Sequence, residues 1–159
     1  MRDSAGDPTI GQIVESEGKR IFEAKATGGQ TGLMMASLMG KMNSLRRLLE
    51  LGADPTIGEK DGYTPLHGAA FQGRAEAARA LFKHASVPNE MHADGFYPVH
   101  RACWGKEGRH TDTVRVFLEN GDFEKRTKTG ESVLDVAKKA GNAKTIELVL
   151  AWGSAAEEL

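Results

Sequence analysis

The stretch Asp61-Gly62-Tyr63-Thr64-Pro65-Leu66-His67-Gly68-Ala69-Ala70 decides how the chain is read. Gly62 suits a tight turn because it tolerates φ > 0. Thr64 is an N-cap candidate whose hydroxyl can satisfy an orphan backbone donor, and Pro65 fits the first helical turn, where its missing N–H is no loss. Leu66 and His67 then open a short helix, and the small residues Gly68, Ala69 and Ala70 let a neighbour approach closely. The order is turn, cap, helix.

That order recurs. A step of 33 residues forward from Thr64 reaches Tyr97 in Asp94-Gly95-Phe96-Tyr97-Pro98-Val99-His100-Arg101-Ala102, and 33 back reaches Thr31 in Thr31-Gly32-Leu33-Met34-Met35-Ala36. A further copy, Gly130-Glu131-Ser132-Val133-Leu134-Asp135-Val136-Ala137, begins 35 residues after the third. Each copy is followed by a Gly-led loop and a second apolar run: Leu45/Leu48/Leu49, Ala78/Leu81/Phe82, Val114/Phe117/Leu118 and Ile146/Val149/Leu150. Such i, i+3, i+4 spacings make one face of a helix. Gly52-Ala53-Asp54-Pro55, Gly121-Asp122 and Gly153-Ser154 read as helix stops.

Motif and period together resemble ankyrin repeats, whose signature is T-P-L-H-x-A and whose helix–turn–helix units run to about 33 residues. The resemblance implies an all-α solenoid with hairpin-like turns between repeats. Its four repeats would span residues 28–58, 59–91, 92–126 and 127–153. Thr64, Pro65, Leu66, His67, Pro98 and His100 are the structural motif positions. By the same resemblance, His67 and His100 tie neighbouring repeats together through hydrogen bonds.

Composition narrows the function. The 159 residues carry a net charge of −1, without the basic excess of a nucleic-acid binder. One cysteine excludes an internal disulfide and fits a reducing, intracellular compartment rather than secretion. No apolar run approaches the roughly 18 residues of a membrane span. The first residues, Met1-Arg2-Asp3-Ser4-Ala5-Gly6-Asp7, lack the apolar core of a secretory signal.

Residues 1–27 lie outside the repeat frame and are expected to cap it, since an open solenoid end exposes apolar surface. Ile13 to Phe22 reads as a hairpin turning at Glu17-Gly18, which sets Val14 against Ile21 and Glu15 against Arg20. A helix there would hold Gly18 in its middle at a cost of about 1 kcal/mol. Gly6-Asp7-Pro8-Thr9-Ile10 also echoes Ala53-Asp54-Pro55-Thr56-Ile57, as though an incomplete repeat ended there.

The repeats are not identical. The first has Gly32 and Met34 at the proline and histidine positions and is rich in methionine, with Leu33, Met34 and Met35 expected to pack against the N-terminal cap. The third takes 21 residues from His100 to Gly121, where the second takes 18 from His67 to Ala85. The three extra residues fall around Trp104-Gly105-Lys106-Glu107-Gly108-Arg109-His110, which reads either as an inert surface loop or as a contact loop. The last repeat has Asp135 at the histidine position and Lys138-Lys139 on its inner helix, as a polar end cap should, and residues 154–159 are expected to fray.

Catalytic and metal chemistry find no support. Gly40-Lys41 and Gly105-Lys106 lack the earlier glycine of a phosphate-binding loop. His100 and Cys103 share a helix face with His92 and His110 nearby, but no C-x-x-C or H-E-x-x-H accompanies them. Cys103 occupies the place of Ala70 and reads as a small buried packer. Nothing arranges Asp112, His110 and Ser132 as a nucleophile system. No enzyme and no cofactor are expected.

Binding is the expectation instead. In ankyrin repeats, partners are usually gripped by the turn tips and the exposed face of each inner helix. Carried over copy by copy, those positions are Leu38, Met39, Phe71, Gln72, Trp104 and Lys139, with Tyr63, Phe96 and Glu131 at the turns. Leu38, Phe71 and Trp104 recur at 33-residue steps and would form a ladder on a concave surface. Aligned exposed apolar and aromatic side chains mark interaction sites, and aromatics are enriched at hot spots. Lys60, Arg101, Lys106, Arg109, Lys125, Arg126, Lys128 and Lys139 weight the third and fourth repeats towards positive, which suits an acidic partner segment with an aromatic or leucine anchor. The leading expectation is a non-catalytic adaptor or regulator, monomeric on its own. Its rival is a structural subunit held permanently in a larger assembly. Inhibition of an enzyme, as by some four-repeat ankyrin proteins, has only fold-level analogy behind it.

Overall fold

The computed structural model describes residues 24–25, 29–59, 61–84 and 89–157. The expected N-terminal cap, with its hairpin or partial repeat, lies outside the described residues except for Ala24 and Lys25, as does Lys60. Among the described residues the fold is all-α. Eight helices form four pairs: α1 (Gly32–Met39) with α2 (Met42–Glu50), α3 (Pro65–Phe71) with α4 (Ala75–Phe82), α5 (Pro98–Cys103) with α6 (Gly108–Glu119), and α7 (Val133–Ala140) with α8 (Ala143–Glu157). The inner helices α1, α3, α5 and α7 stack in one row, and the outer helices α2, α4, α6 and α8 in another.

Local chemistry starts each inner helix. Thr31 Oγ1 accepts from the Met34 N–H at 3.3 Å. In α3 the Thr64 N–H and hydroxyl both lie on His67 Nδ1, at 3.3 and 2.9 Å. In α5 the Tyr97 N–H donates to His100 Nδ1 at 3.2 Å. In α7 Ser132 and Asp135 close a reciprocal capping box, with Ser132 N–H to Asp135 Oδ2 at 2.9 Å and Asp135 N–H to Ser132 Oγ at 3.1 Å. Asp135 thus does for the last repeat what the histidines do for the second and third.

The turns that lead into these caps are hairpin-like, as expected. Glu59 N–H meets Tyr63 C=O, His92 N–H meets Phe96 C=O, and Thr127 N–H meets Glu131 C=O, each at 2.9 Å. Their glycines stand at φ 82° (Gly62), 92° (Gly95) and 86° (Gly130), a region closed to most side chains.

The core runs continuously through the stack. Leu33, Leu66 and Val99 are buried at equivalent places, as are Ala36, Ala69, Ala102 and Ala137. Gly68 lies against α1, where a Cβ would meet Leu38 Cδ1 at 3.4 Å in ordinary van der Waals contact. On the outer row the Phe82 and Phe117 rings meet edge to face at 5.2 Å. Cys103 is fully buried, and burial pushes its thiol up to about 12. Leu33 and Met34 are buried, whereas Met35 faces solvent despite its expected place in the packing.

Two expectations about length are corrected. The extra residues of the third repeat do not form an open loop: α6 has 12 residues against 8 in α4, so most of the insertion became an added helical turn. Gly153-Ser154 does not stop the last helix, and the expected frayed tail is helical through Glu157. The physical reason is the ring of Phe123, which lies against Gly153 so closely that a Cβ would come within 3.0 Å of its Cζ. The contact and the helix-forming Ala155 and Ala156 carry the helix on. Leu150, assigned to the buried face of this helix, is exposed.

Candidate functional site

The inner-helix ends and turn tips display an aromatic cluster. Phe71, at the end of α3, and Trp104, which caps α5, remain 44% and 36% exposed. Their rings meet edge to face with centroids 6.4 Å apart. Trp104 meets Phe96, on the preceding turn, at 5.0 Å. Tyr63, on the turn before that, is half-buried, and burial above all pushes its phenol up despite the opposing charge of Arg101. Leu38 is half-buried against Gly68, while Met39 beside it is half exposed. Gln72 is half-buried at the end of α3, and Lys106 and Arg109 are exposed at the start of α6.

Arg101 departs from its expected place as a partner contact. It is only 7% exposed. Its guanidinium lies over the Tyr63 ring at 4.9 Å and the Trp104 ring at 5.3 Å, while Nη2 reaches Asp94 Oδ2 at 2.5 Å and His92 Nδ1 at 2.9 Å. Arg101 is an internal strut between two turns, sandwiched by aromatic rings. Its charge reaches Asp94: partial burial would raise that carboxyl, but the His92 hydrogen bond and the Arg101 cation hold it below the usual range.

The expected positive weighting is also largely cancelled within the chain. Arg109 pairs with Glu107 at 2.9 Å, Lys125 approaches Asp122 at 3.8 Å, and Lys139 pairs with Glu131. Lys106, Arg126 and Lys128 remain exposed without an ion pair among the described residues. The face is therefore aromatic first and basic second.

His100 Nε2 meets the carbonyl of Lys125 at 3.3 Å, in the segment that leads from the third repeat to the next turn. The Glu90 carbonyl takes the matching place beside His67, whose buried Nε2 closes no hydrogen bond. Burial lowers both imidazoles to about 4, so both are neutral near neutrality. Among the described residues no group of three or more His, Cys, Asp and Glu is placed to hold a metal.

Sequence reasoning missed a second set of ties at the opposite end of the inner helices. Arg74 Nε donates to the Leu38 carbonyl at 3.3 Å, His110 Nε2 meets the Phe71 carbonyl at 3.3 Å, and Asn142 Nδ2 donates to the Gly105 carbonyl at 2.9 Å. Each crosses from one repeat to the next. Arg74 and Asn142 directly follow the loop glycines Gly73 and Gly141, a recurrence that could have flagged them. His110 sits on the inserted turn, outside that register, and had no such signal.

A family model described as Ankyrin repeats (3 copies) matches residues 5–92, more than half of the chain. The chain belongs to the ankyrin-repeat family. Pairs α5–α6 and α7–α8 lie beyond the matched residues and continue the same stack. No curated protein is a significant match. Ankyrin repeats are protein–protein interaction modules, and domains built from them are typically non-catalytic. No helix among the described residues is long and apolar enough to cross a membrane.

Proposed function

We propose that this ankyrin-repeat chain is an adaptor or regulator that binds a partner protein on its inner-helix and turn face. The observation that carries the reading is the exposed, edge-to-face pair of Phe71 and Trp104, continued by Phe96. Large aromatics held in fixed geometry lose little freedom on binding and are the commonest anchors of interfaces. Leu38, Met39, Tyr63 and Gln72 extend the face, with Lys106 and Arg109 at its edge. A partner with an aromatic or leucine anchor and modest acidic flanks fits it. The proposal includes four repeats over residues 28–153. It also places the chain inside the cell, where the buried, unreactive Cys103 suits reducing conditions.

The test is a pull-down with the intact chain and the Phe71→Ala/Trp104→Ala double variant, followed by titration with the captured protein. Each single change is expected to weaken binding by about 2 kcal/mol. Melting temperatures of the single variants should stay close to that of the parent. A partner that binds the double variant as tightly as the parent removes the face from the proposal.

A further inference from the structure

His92 Nδ1 sits between a donor and an acceptor that it cannot serve together. Arg101 Nη2 lies 2.9 Å away and Asp94 Oδ1 3.0 Å away, with the Asp94 N–H at 3.4 Å. A guanidinium only donates, so the Arg101 contact requires Nδ1 to be an unprotonated acceptor, which leaves the ring proton on Nε2. A carboxylate only accepts, so the Asp94 side-chain contact becomes a hydrogen bond when Nδ1 gains a proton. The two bonds are alternatives. Which one forms decides whether Arg101 is held by His92 or faces a second cation there.

Arg101 in turn sets Trp104, whose ring it contacts at 5.3 Å. The arginine is not fully tied: its buried Nε has no hydrogen-bond partner among the described residues. The geometry points to a proton-governed clamp: neutral His92 shares Arg101 Nη2 with Asp94 Oδ2, 2.5 Å away, and a proton on Nδ1 hands His92 to Asp94, leaves the Asp94 ion pair holding the guanidinium and shifts Arg101 against the Trp104 ring. Arg101 is thus a positioning residue, and His92 its control. The inference rests on the proposed binding face only for its consequence, which is that acid alters that face.

Charged and titratable groups border this turn from both sides. From the second repeat, the Tyr63 ring approaches His92 edge-on at 5.6 Å and the His67 ring at 5.8 Å. Tyr63 also feels Glu59. Burial, seconded by Arg101 and His92 itself, keeps His67 neutral down to about pH 4. From the following turn, Lys128 packs on Gly95 and donates its N–H to the Gly95 carbonyl at 2.9 Å. Against partial burial, the His92 hydrogen bond and the Arg101 cation hold Asp94 below its usual range.

The experiment is an NMR titration of the intact chain without any partner, from pH 8 towards acid, following imidazole nitrogens and indole N–H resonances. A Trp152→Phe background assigns the Trp104 signal, since the chain has 2 tryptophans. Above its midpoint His92 is expected as the Nε2–H tautomer. Through that midpoint the Trp104 indole is expected to shift with the same pH dependence. His92→Gln should abolish this response, and His84→Gln, just beyond α4, should preserve it. An Nδ1–H tautomer above the midpoint, or a Trp104 signal that ignores the titration of His92 in the parent chain, overturns the clamp. These readouts involve no partner, so the clamp can fail while the Phe71/Trp104 binding face stands, and the reverse.

Discussion

The second and third repeats carry one plan with two outcomes. Thr64-Pro65-Leu66-His67 and Tyr97-Pro98-Val99-His100 build the same turn, the same proline start and the same imidazole under the N-cap N–H. Beyond the helix start they diverge. His100 closes its second bond onto the Lys125 carbonyl, in the segment leading to the next turn, and His67 closes none, and α4 follows a short loop where α6 gained a turn that buries His110 against Gly73 and Gly105. Motif residues therefore decide how a repeat begins. How firmly it is joined to the next depends on what that neighbour presents.

The largest effect expected to break the parallel is in the core. Leu66→Ala should cost about 2–5 kcal/mol in denaturant unfolding. Val99→Ala at the equivalent place removes one carbon fewer and should cost about 1 kcal/mol less. Equal losses would mean that the two junctions relax differently around the cavity.

Acid should weaken both repeats. Burial holds His67 and His100 to about 4, whereas an unfolded histidine titrates near 6.5. Between those values the unfolded chain binds more protons, so stability is fully present above about pH 6.5 and is lost as the pH falls towards 4. Each imidazole contributes at most roughly 3 kcal/mol to that loss. Urea melts across this window check it, and a flat profile would refute the neutral, buried assignment.

A finer contrast separates the two histidines. His100→Ala removes the bond to the Lys125 carbonyl as well as the cap, so it should destabilise by about 1 kcal/mol more than His67→Ala. The smallest effect belongs to the Lys139–Glu131 pair, whose lysine is exposed and whose glutamate is half-buried. Lys139→Ala should leave the melting temperature unchanged at physiological salt, because solvent screens such pairs.

Much of this architecture was legible in the sequence because it rests on local chemistry. Gly62, Thr64, Pro65 and His67 act within one turn and one cap, and the 33-residue step repeats them. Aromatic exposure at Phe71 and Trp104 also followed from register. What register does not carry is partnership across repeats. Arg101 looked like a free cation because its anchors, His92, Asp94 and the Tyr63 ring, lie on two separate turns. The helical path through Gly153 depends on Phe123, far back in the chain. The inserted residues lengthened α6 because its first turn could pack on the preceding loop, which no count of residues reveals.

The ties made by Arg74 and His110 fall on the carbonyls of Leu38 and Phe71, not on their side chains. A carbonyl is present whichever amino acid occupies the position. Mutation can therefore rewrite the side-chain chemistry at 38 and 71 while the joints beneath keep their grip, so surface and assembly are free to evolve separately.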